Sequence, residues 1–355
     1  MDFVNLKPEG GAVRNLQSLI FLSVYGDEKL GSMFNVLPYQ KHGEKVGLIS
    51  NLGLLGKASE GCDPTYDDNI GAPIEKEWDI RAWQLSEKIC YDVLEGTLAQ
   101  IALKTKTDIS DLTGTEYLDY VLMPVLENAA LKMVMRFAWF GDTSANTVAS
   151  GGVLKDGTRV GAFTVTDGFW KRAFSLVAAN AERRTTVAAN GKTTFAEQKS
   201  AIRTAGAATQ VLDDLISDAS QELRQADNQV IFISQGLKDA LSVDLKKNNA
   251  GADLAWEAVF GGITKASYDG IELIAIPFWD EIIKGYESAS AGKAWNKPYR
   301  AIYTTHDNLL LGVEGKDAIA DLQVTFDPVS RNNYIYATDK LGTIIANDNL
   351  IQVAY

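Results

Sequence analysis

The chain has 355 residues, 46% of them hydrophobic and 23% charged, a composition able to fill one large core or two smaller ones. Its formal charge of −12 argues against a protein that grips nucleic acid by neutralising phosphates, which needs a basic face. No apolar run reaches the roughly 20 residues needed to span a bilayer, and the short run 16–24 follows an acidic, Pro-containing leader that makes a poor signal peptide.

Residues 1 to about 40 read as an arm. MDFVNLKPEGG is turn-rich, and Leu16, Leu19, Ile20 and Val24 follow at helical spacing. That stripe is too small for a core of its own, so it must lie on a larger body or on a neighbouring subunit. From Gly43 to Ser86 the pattern turns extended: KVGLIS and LGLLGKAS, then the Gly, Pro, Asp and Asn cluster EGCDPTYDDNIGAP as a loop tip. Beyond the tip, Ile74, Lys76, Trp78, Ile80, Ala82 and Gln84 alternate with Glu75, Glu77, Asp79, Arg81 and Trp83, predicting one long strand. The whole is a charged hairpin, and a lone hairpin is marginal in water.

Ser86 to Leu103 is predicted helical, interrupted at Gly96. Thr113 and Glu116 form a capping box for a long helix carrying Tyr117, Val121, Val125, Leu126, Ala129, Met133, Val134 and Phe137, ended by Gly141. Pro124 inside it predicts a kink or a break. Between 143 and 205, GGVLKDGTRVG reads as a loop or hairpin, FWKRAFSLVAAN as a short helix and RRTTVAANGKTT as a polar connector. An amphipathic helix carries Val211, Leu212, Leu215, Ile216, Ala219 and Leu223. A buried strand Val230–Ile233 and a helix Gly236–Lys247 follow, then the turn Ser267–Gly270 and an apolar strand Ile271–Ile276 stopped by Pro277. The tail is strand-rich: AIYTT, LLLGV, LQVTFD, NYIYAT, GTII and LIQVAY, with turns at Asp307-Asn308, Asp327-Pro328 and Asn347-Asp348.

Groups that carry catalysis are sparse. His42 and His306 each sit beside a turn with no Gly-x-Ser-x-Gly elbow, and read as solvated or structural rather than catalytic. Gly191-Lys192-Thr193 echoes the end of a phosphate-binding loop, but the position of its first glycine is Thr186. Asp67, Asp68 and Asn69 supply oxygens for a hard cation without calcium-loop spacing, and read as a solvated acidic turn. Trp78/Trp83 and Phe278/Trp279 are either core or interface anchors or a platform for sugars and bases. Cys62 and Cys90 form no disulfide framework or metal spacing and read as reduced thiols, with inter-subunit pairing of Cys62 as the alternative. The chain is accordingly expected not to be an enzyme, and no catalytic, cofactor-binding or metal-binding residue is assigned.

The order of parts resembles the major capsid protein of tailed bacteriophages, the fold described in phage Hong Kong ninety-seven. The quoted features are the arm, the hairpin to API-EKEWDIRAWQLSEKIC, the long helix ending in FAWFGDTS, and SYDGIELIAIP. The resemblance covers most of the chain as element order with short echoes. It implies an α+β fold with an N-terminal arm (1–42), an E-loop hairpin (43–86) and a P domain with a spine helix (87–142). An inserted lobe (143–205), an A domain (206–314) and C-terminal P-domain strands (315–355) complete it. It further implies a virion capsid subunit, assembled in the host cytoplasm into pentamers and hexamers that enclose double-stranded DNA without sequence-specific binding. An acidic wall suits that role, because repulsion keeps the polymer from sticking. Implied partners are many copies of itself, a portal, a separate scaffold and decoration proteins, with no membrane. Some relatives join subunits through a Lys–Asn isopeptide bond helped by a buried acid. Lys57 or Lys76, with Asn332, Asn333 or Asn347, supply those residue types here. The competing readings are a nanocompartment shell of the same fold and a tail-associated glycan-binding virion protein that uses the tryptophans.

Overall fold

The structure is a computed structural model that describes residues 33–48, 74–90, 123–248, 253–289, 292–314, 323–327, 329 and 332–355. The described residues group into two units, one drawn from 1–40, 80–171 and 311–343, the other from 41–79, 172–310 and 344–355. The chain therefore passes repeatedly from one to the other. The span 143–205, expected as one inserted lobe, is shared: 143–171 goes with the first unit and 172–205 with the second.

The first unit is built on a five-stranded sheet of β1 (Asn35–Leu37), β4 (Arg81–Cys90), β11 (Leu309–Val313), β12 (Gln323–Asp327) and β13 (Asn332–Ile345). β11 and β12 flank β13 in the strand order, β1 lies beyond β11, and β4 also pairs with β13. NYIYAT and GTII, read separately in the sequence, are one 14-residue strand. β4 runs antiparallel to it from Asn332↔Cys90 to Leu341↔Arg81. Trp83 on β4 is buried while Ala82 and Gln84 are exposed, the reverse of the predicted face. The reason is a break at Trp78–Ile80, which splits the expected strand and resets the period-two alternation. Ser86–Cys90 is also strand, not helix, because its backbone is taken up by the β13 ladder.

Helix α1 (Met123–Phe140) ends at Gly141 as its sequence predicts. Pro124 is the second residue of the described helix, in a first turn where a missing N–H costs nothing, and the extension over 113–122, on which a kink or break there depends, lies outside the described residues. The final turns are buried nearly all round: Met133, Val134, Met135, Phe137, Ala138, Trp139 and Phe140 all lie in the core, so the stripe broadens into a full sheath. Trp139 packs edge-on to Phe169 at 5.2 Å and to Phe34 at 6.2 Å, and Phe34 lies 5.8 Å from Phe169. Glycine is required at the end of α1, since a Cβ on Gly141 would stand 2.2 Å from the Thr166 carbonyl oxygen.

The second unit is built on a seven-stranded sheet in the order β5-β14-β10-β6-β9-β8-β7. Its strands are β5 (Arg184–Thr185), β6 (Gln229–Ser234), β7 (Glu257–Phe260), β8 (Ile263–Tyr268), β9 (Ile271–Ile276), β10 (Ala301–Thr305) and β14 (Ile351–Ala354). β6 and β9 are parallel, with Val230 opposite Glu272 and Ile233 opposite Ala275. β10 is antiparallel to both β6 and β14. Every residue of β10 and β14 is buried, and polar side chains among them are hydrogen-bonded, Thr304 Oγ1 donating to Leu350 O and Gln352 Nε2 to Glu182 O. Asp269 and Gly270 turn β8 into β9 with φ of 49° and 81°, the left-handed pair that a two-residue hairpin needs.

Helices α2 (Phe169–Ala179), α3 (Phe195–Ile202), α4 (Ala207–Ser217), α5 (Gln221–Arg224), α6 (Gln235–Asn248) and α7 (Pro277–Tyr286) follow in chain order. The amphipathic stripe 211–223 is two helices rather than one, because the Ser220 side chain caps Leu223 N and starts a new helix. Val211, Leu212, Leu215, Ala219 and Leu223 still share one core with Ile231, Ile233, Leu237, Leu241 and Leu273. The connector 183–194 is less polar in its role than in its composition: it supplies strand β5, and Val187 and Ala189 join that core.

A two-stranded stem also belongs to this unit. β2 (Lys45–Leu48) runs antiparallel to β3 (Ile74–Glu77), with Lys45 opposite Glu77 and Leu48 opposite Ile74. Among the described residues the expected hairpin 43–86 is thus represented by this stem, whose far strand ends at Glu77.

Candidate functional site

The hairpin stem leaves the second unit from a fixed base. Trp78 N donates to Glu44 O and Gly43 N to Trp78 O, each at 2.9 Å, and the Trp78 side chain is fully buried. Lys76 Nζ donates to Ile345 O at 2.6 Å and pairs with the Asp348 carboxylate. Charge-assisted bonds of this partly buried kind contribute about 1.5–3 kcal/mol. Further along, Lys45 pairs with Glu75 at 2.6 Å on the surface, which raises the proton affinity of the amine through the hydrogen bond. Screening leaves that pair little net effect on stability. The tip (49–73), with Lys57, Cys62, Asp67, Asp68 and Asn69, and the arm stripe (16–24) lie outside the described residues.

Where α1 meets the following loop, the first unit carries a dense polar knot. Asp142 accepts from Ser144 N at 2.9 Å and Ser144 Oγ at 2.7 Å and pairs with Lys171 at 3.0 Å. Burial opposes ionisation of Asp142, yet the Ser144 and Lys171 bonds outweigh it and hold the carboxyl below its usual range. Asp167 accepts from Thr143 N and Thr143 Oγ1, and its carbonyl accepts from Thr343 Oγ1 at 2.6 Å. The knot fixes the end of α1 to β13. Its groups are all engaged with one another, which suits a rigid joint rather than catalysis.

The remaining candidates separate cleanly. His42 is exposed and lies 3.6 Å from Asp79, while His306 Nε2 lies 3.0 Å from Glu272, so each histidine faces an acid. Gly191 sits in a single-turn helix and Thr193 Oγ1 donates to Glu197, so no loop curls round a phosphate. Trp78, Trp83 and Trp279 are 0%, 4% and 0% exposed, which removes them as a stacking platform and establishes the anchor reading. The glycan-binding alternative loses its footing with them. The Asn347 side chain donates to Glu222 and Lys76 is held by Asp348, so these two isopeptide candidates are occupied by other partners. Asn332 is buried in β13. The Cys90 backbone pairs with Asn332 in the β4–β13 ladder.

Two arrangements escaped sequence reasoning. Asp339 projects from the inner face of β13, directly across from Trp83. Burial pushes its carboxyl up to about 7; the Lys340 backbone N–H at 2.7 Å offsets part of this, and Glu314 adds to it. Its signal was the alternation Ile335, Ala337, Asp339, Leu341, which puts an acid where the period demands an apolar residue. The second is a buried pair between Arg300 and Glu287, with side chains 1% and 8% exposed, seated under the rings of Phe174 and Tyr355. The two are 13 positions apart across an irregular stretch, so no helical or strand period links them.

A scan against family models finds no match, and a search of curated proteins finds none. Solved structures do match. The chain in the procapsid of satellite phage P4, which includes the size-determination protein Sid, superposes with a TM-score of 0.52 at 10% identity, over 96% of this chain and 97% of that one. Gordonia phage Cozz gives a TM-score of 0.51 at 14% identity, over 91% of this chain and 84% of the other. At such identities the likeness lies in backbone path and element order. The chain has the α+β fold of a phage capsid subunit.

Proposed function

We propose that this protein is the shell subunit of a tailed phage, self-assembling into pentamers and hexamers that enclose double-stranded DNA. The observation that carries the reading is the match in fold to the P4 procapsid chain over 96% of this chain and 97% of that one. In this reading the first unit is the P domain, with α1 as spine and β13 as its long strand. The second is the A domain, and the β2–β3 stem is the root of the E-loop. The arm (1–42) and the hairpin tip dock on adjoining copies, where many modest contacts add up in a closed shell. The charge of −12 suits an inner wall facing packaged polyanion. Portal, scaffold and decoration proteins would be its partners, the virion its final location and the host cytoplasm its place of assembly.

Electron microscopy of the expressed full chain tests the proposal. Rings of five and six, tubes or closed particles are expected. A species that stays monomeric at every concentration, alone and in lysate of phage-infected host, would sink it. Particles filled with protein cargo instead of DNA would favour the nanocompartment reading.

A further inference from the structure

Small side chains leave a hollow in the second unit. Ala189 follows strand β5, Ala201 stands near the end of α3 and Ala207 opens α4, and between them lies a partly enclosed cavity of about 140 Å³. Its floor is apolar, with Ala189, Ile202 and Val211 all buried. Its rim is polar: Thr186 comes from the connector after β5, Gln210 and Asp214 from α4. Gln210, Val211 and Asp214 fall at the three- and four-residue spacing that puts them on one face of α4. One rigid helix thus holds both the carboxylate and part of the apolar floor.

The rim carries a charge without a counter-charge. Asp214 is half-buried, yet among the described residues no cation pairs with it, and the side chains of Gln210 and Thr186 make no hydrogen bond. Other carboxylates at this depth do have a cation: Lys171 lies 3.0 Å from Asp142, and Lys76 pairs with Asp348. Asp214 also stands in the last turn of α4, where the carbonyl end of the helix is negative and no basic residue offsets it. Asp218, just past the helix, adds a second carboxylate, which accepts from Thr185 Oγ1 at 2.8 Å. The field at the mouth is therefore negative. A hard metal ion would need about six oxygen ligands, and the floor offers it only hydrocarbon. The wider depression of about 420 Å³ on β7–β9 is the natural contrast, because its charges are committed: Glu257 lies 3.8 Å from Lys265 and Glu272 lies 3.0 Å from His306.

We propose that this cavity binds a free short-chain aliphatic amine as its ammonium ion, with the hydrocarbon on the floor and the ammonium at Asp214. The Gln210 amide oxygen and the Thr186 hydroxyl accept the remaining N–H bonds, so the ligand satisfies three rim groups at once. The size fits: a cavity of about 150 Å³ holds a benzene molecule, so this one takes a chain of about four carbons. The polarity of the cavity also selects the source. A free amine enters hydrocarbon end first and leaves its charge at the rim. A lysine side chain from another copy would enter charge first, the wrong way round for an apolar floor.

The test is calorimetric titration of the full chain, as unassembled subunit, with n-butylammonium chloride, alongside NMR of methyl-labelled protein. Saturable binding at millimolar ligand is expected, with the methyl resonances of Ile202 and Val211 shifting in step. 1-Butanol keeps the chain without the charge and ammonium chloride keeps the charge without the chain; each should bind about tenfold more weakly or worse. Asp214→Asn should weaken butylammonium binding by a similar factor while circular dichroism stays unchanged, and Ala201→Leu, which fills the hollow and spares the carboxylate, should abolish it. The ligand series and the methyl shifts need no variant, so they decide the matter even if a variant fails to fold. Equal binding of 1-butanol, methyl shifts elsewhere than at this cavity, or an unaltered Asp214→Asn variant would each overturn the proposal. So would tighter binding of a blocked lysine amide than of butylammonium, which would assign the cavity to a side chain of another copy. None of these outcomes depends on whether the chain builds a shell.

Discussion

Replacing Asp339 by asparagine should convert a pH-sensitive sheet into an insensitive one. In the unfolded chain this carboxyl titrates at about 3.9, whereas burial inside the first unit raises it to about 7. Between those values the folded state holds a proton that the unfolded state has released. Stability is therefore fullest at and below about pH 4, falls as pH rises, and levels off above the folded value. At about 1.4 kcal/mol for each pH unit, ionising Asp339 within the fold removes about 4 kcal/mol by pH 8. With its residue only 6% exposed, little of that is screened by solvent. Asparagine has the same shape and no charge, so Asp339→Asn should be more stable than the natural chain by a few kcal/mol at pH 8 and equal to it near pH 4. Urea unfolding of the unassembled subunit at several pH values, followed by Trp fluorescence, measures this directly, because Trp83 is the cross-strand neighbour. Parallel stability profiles for the two proteins between pH 4 and 8 would show that Asp339 keeps an ordinary carboxyl in the fold, and the reasoning would fail.

Three other perturbations have defined outcomes. Gly141→Ala drives a Cβ to within 2.2 Å of Thr166 O and 2.6 Å of Phe137 O, both backbone atoms, so the end of the spine must move; a loss of more than about 2 kcal/mol and a marked drop in soluble yield are expected. Arg300→Met leaves Glu287 buried without its partner and should cost about 3–5 kcal/mol, while Arg300→Met with Glu287→Leu should recover much of that, as a double-mutant cycle in denaturant would reveal. Lys76→Met frees the hairpin root from Ile345 O and Asp348, and faster hydrogen exchange at the amides of β2 and β3 is expected, with the β6–β9 amides unchanged.

The elements legible in the sequence were those whose period or turn chemistry is local. The Asp269-Gly270 turn, the Gly141 stop and the β6–α6 pair came straight from adjacent residues. The helices that were missed had signals too, although weak ones. Thr194 and Glu197 form a full capping box ahead of α3, and Pro277 opens α7 at the position where a helix needs no N–H. The misplaced β4 has a different cause. Glu87 and Lys88 look helical beside Ser86, but pairing with a strand some 250 positions away along the chain overrides that preference. The hairpin stem was likewise foreseeable from its alternating charges and the turn-rich segment between its strands. The Asp339–Trp83 pairing and the Phe174–Tyr355 contact depend on long-range register, which no window of sequence contains.

The placement of β14 has a consequence for synthesis. Ile351–Ala354 is inserted between β5 and β10, not added at a margin, and every one of its residues is buried. A ribosomal product cut short before this point leaves two raw edges in the middle of a sheet, one of them the fully buried β10. Such a fragment cannot pass for a finished subunit. The second unit therefore closes only once β14 is in place, whatever order the other strands form in.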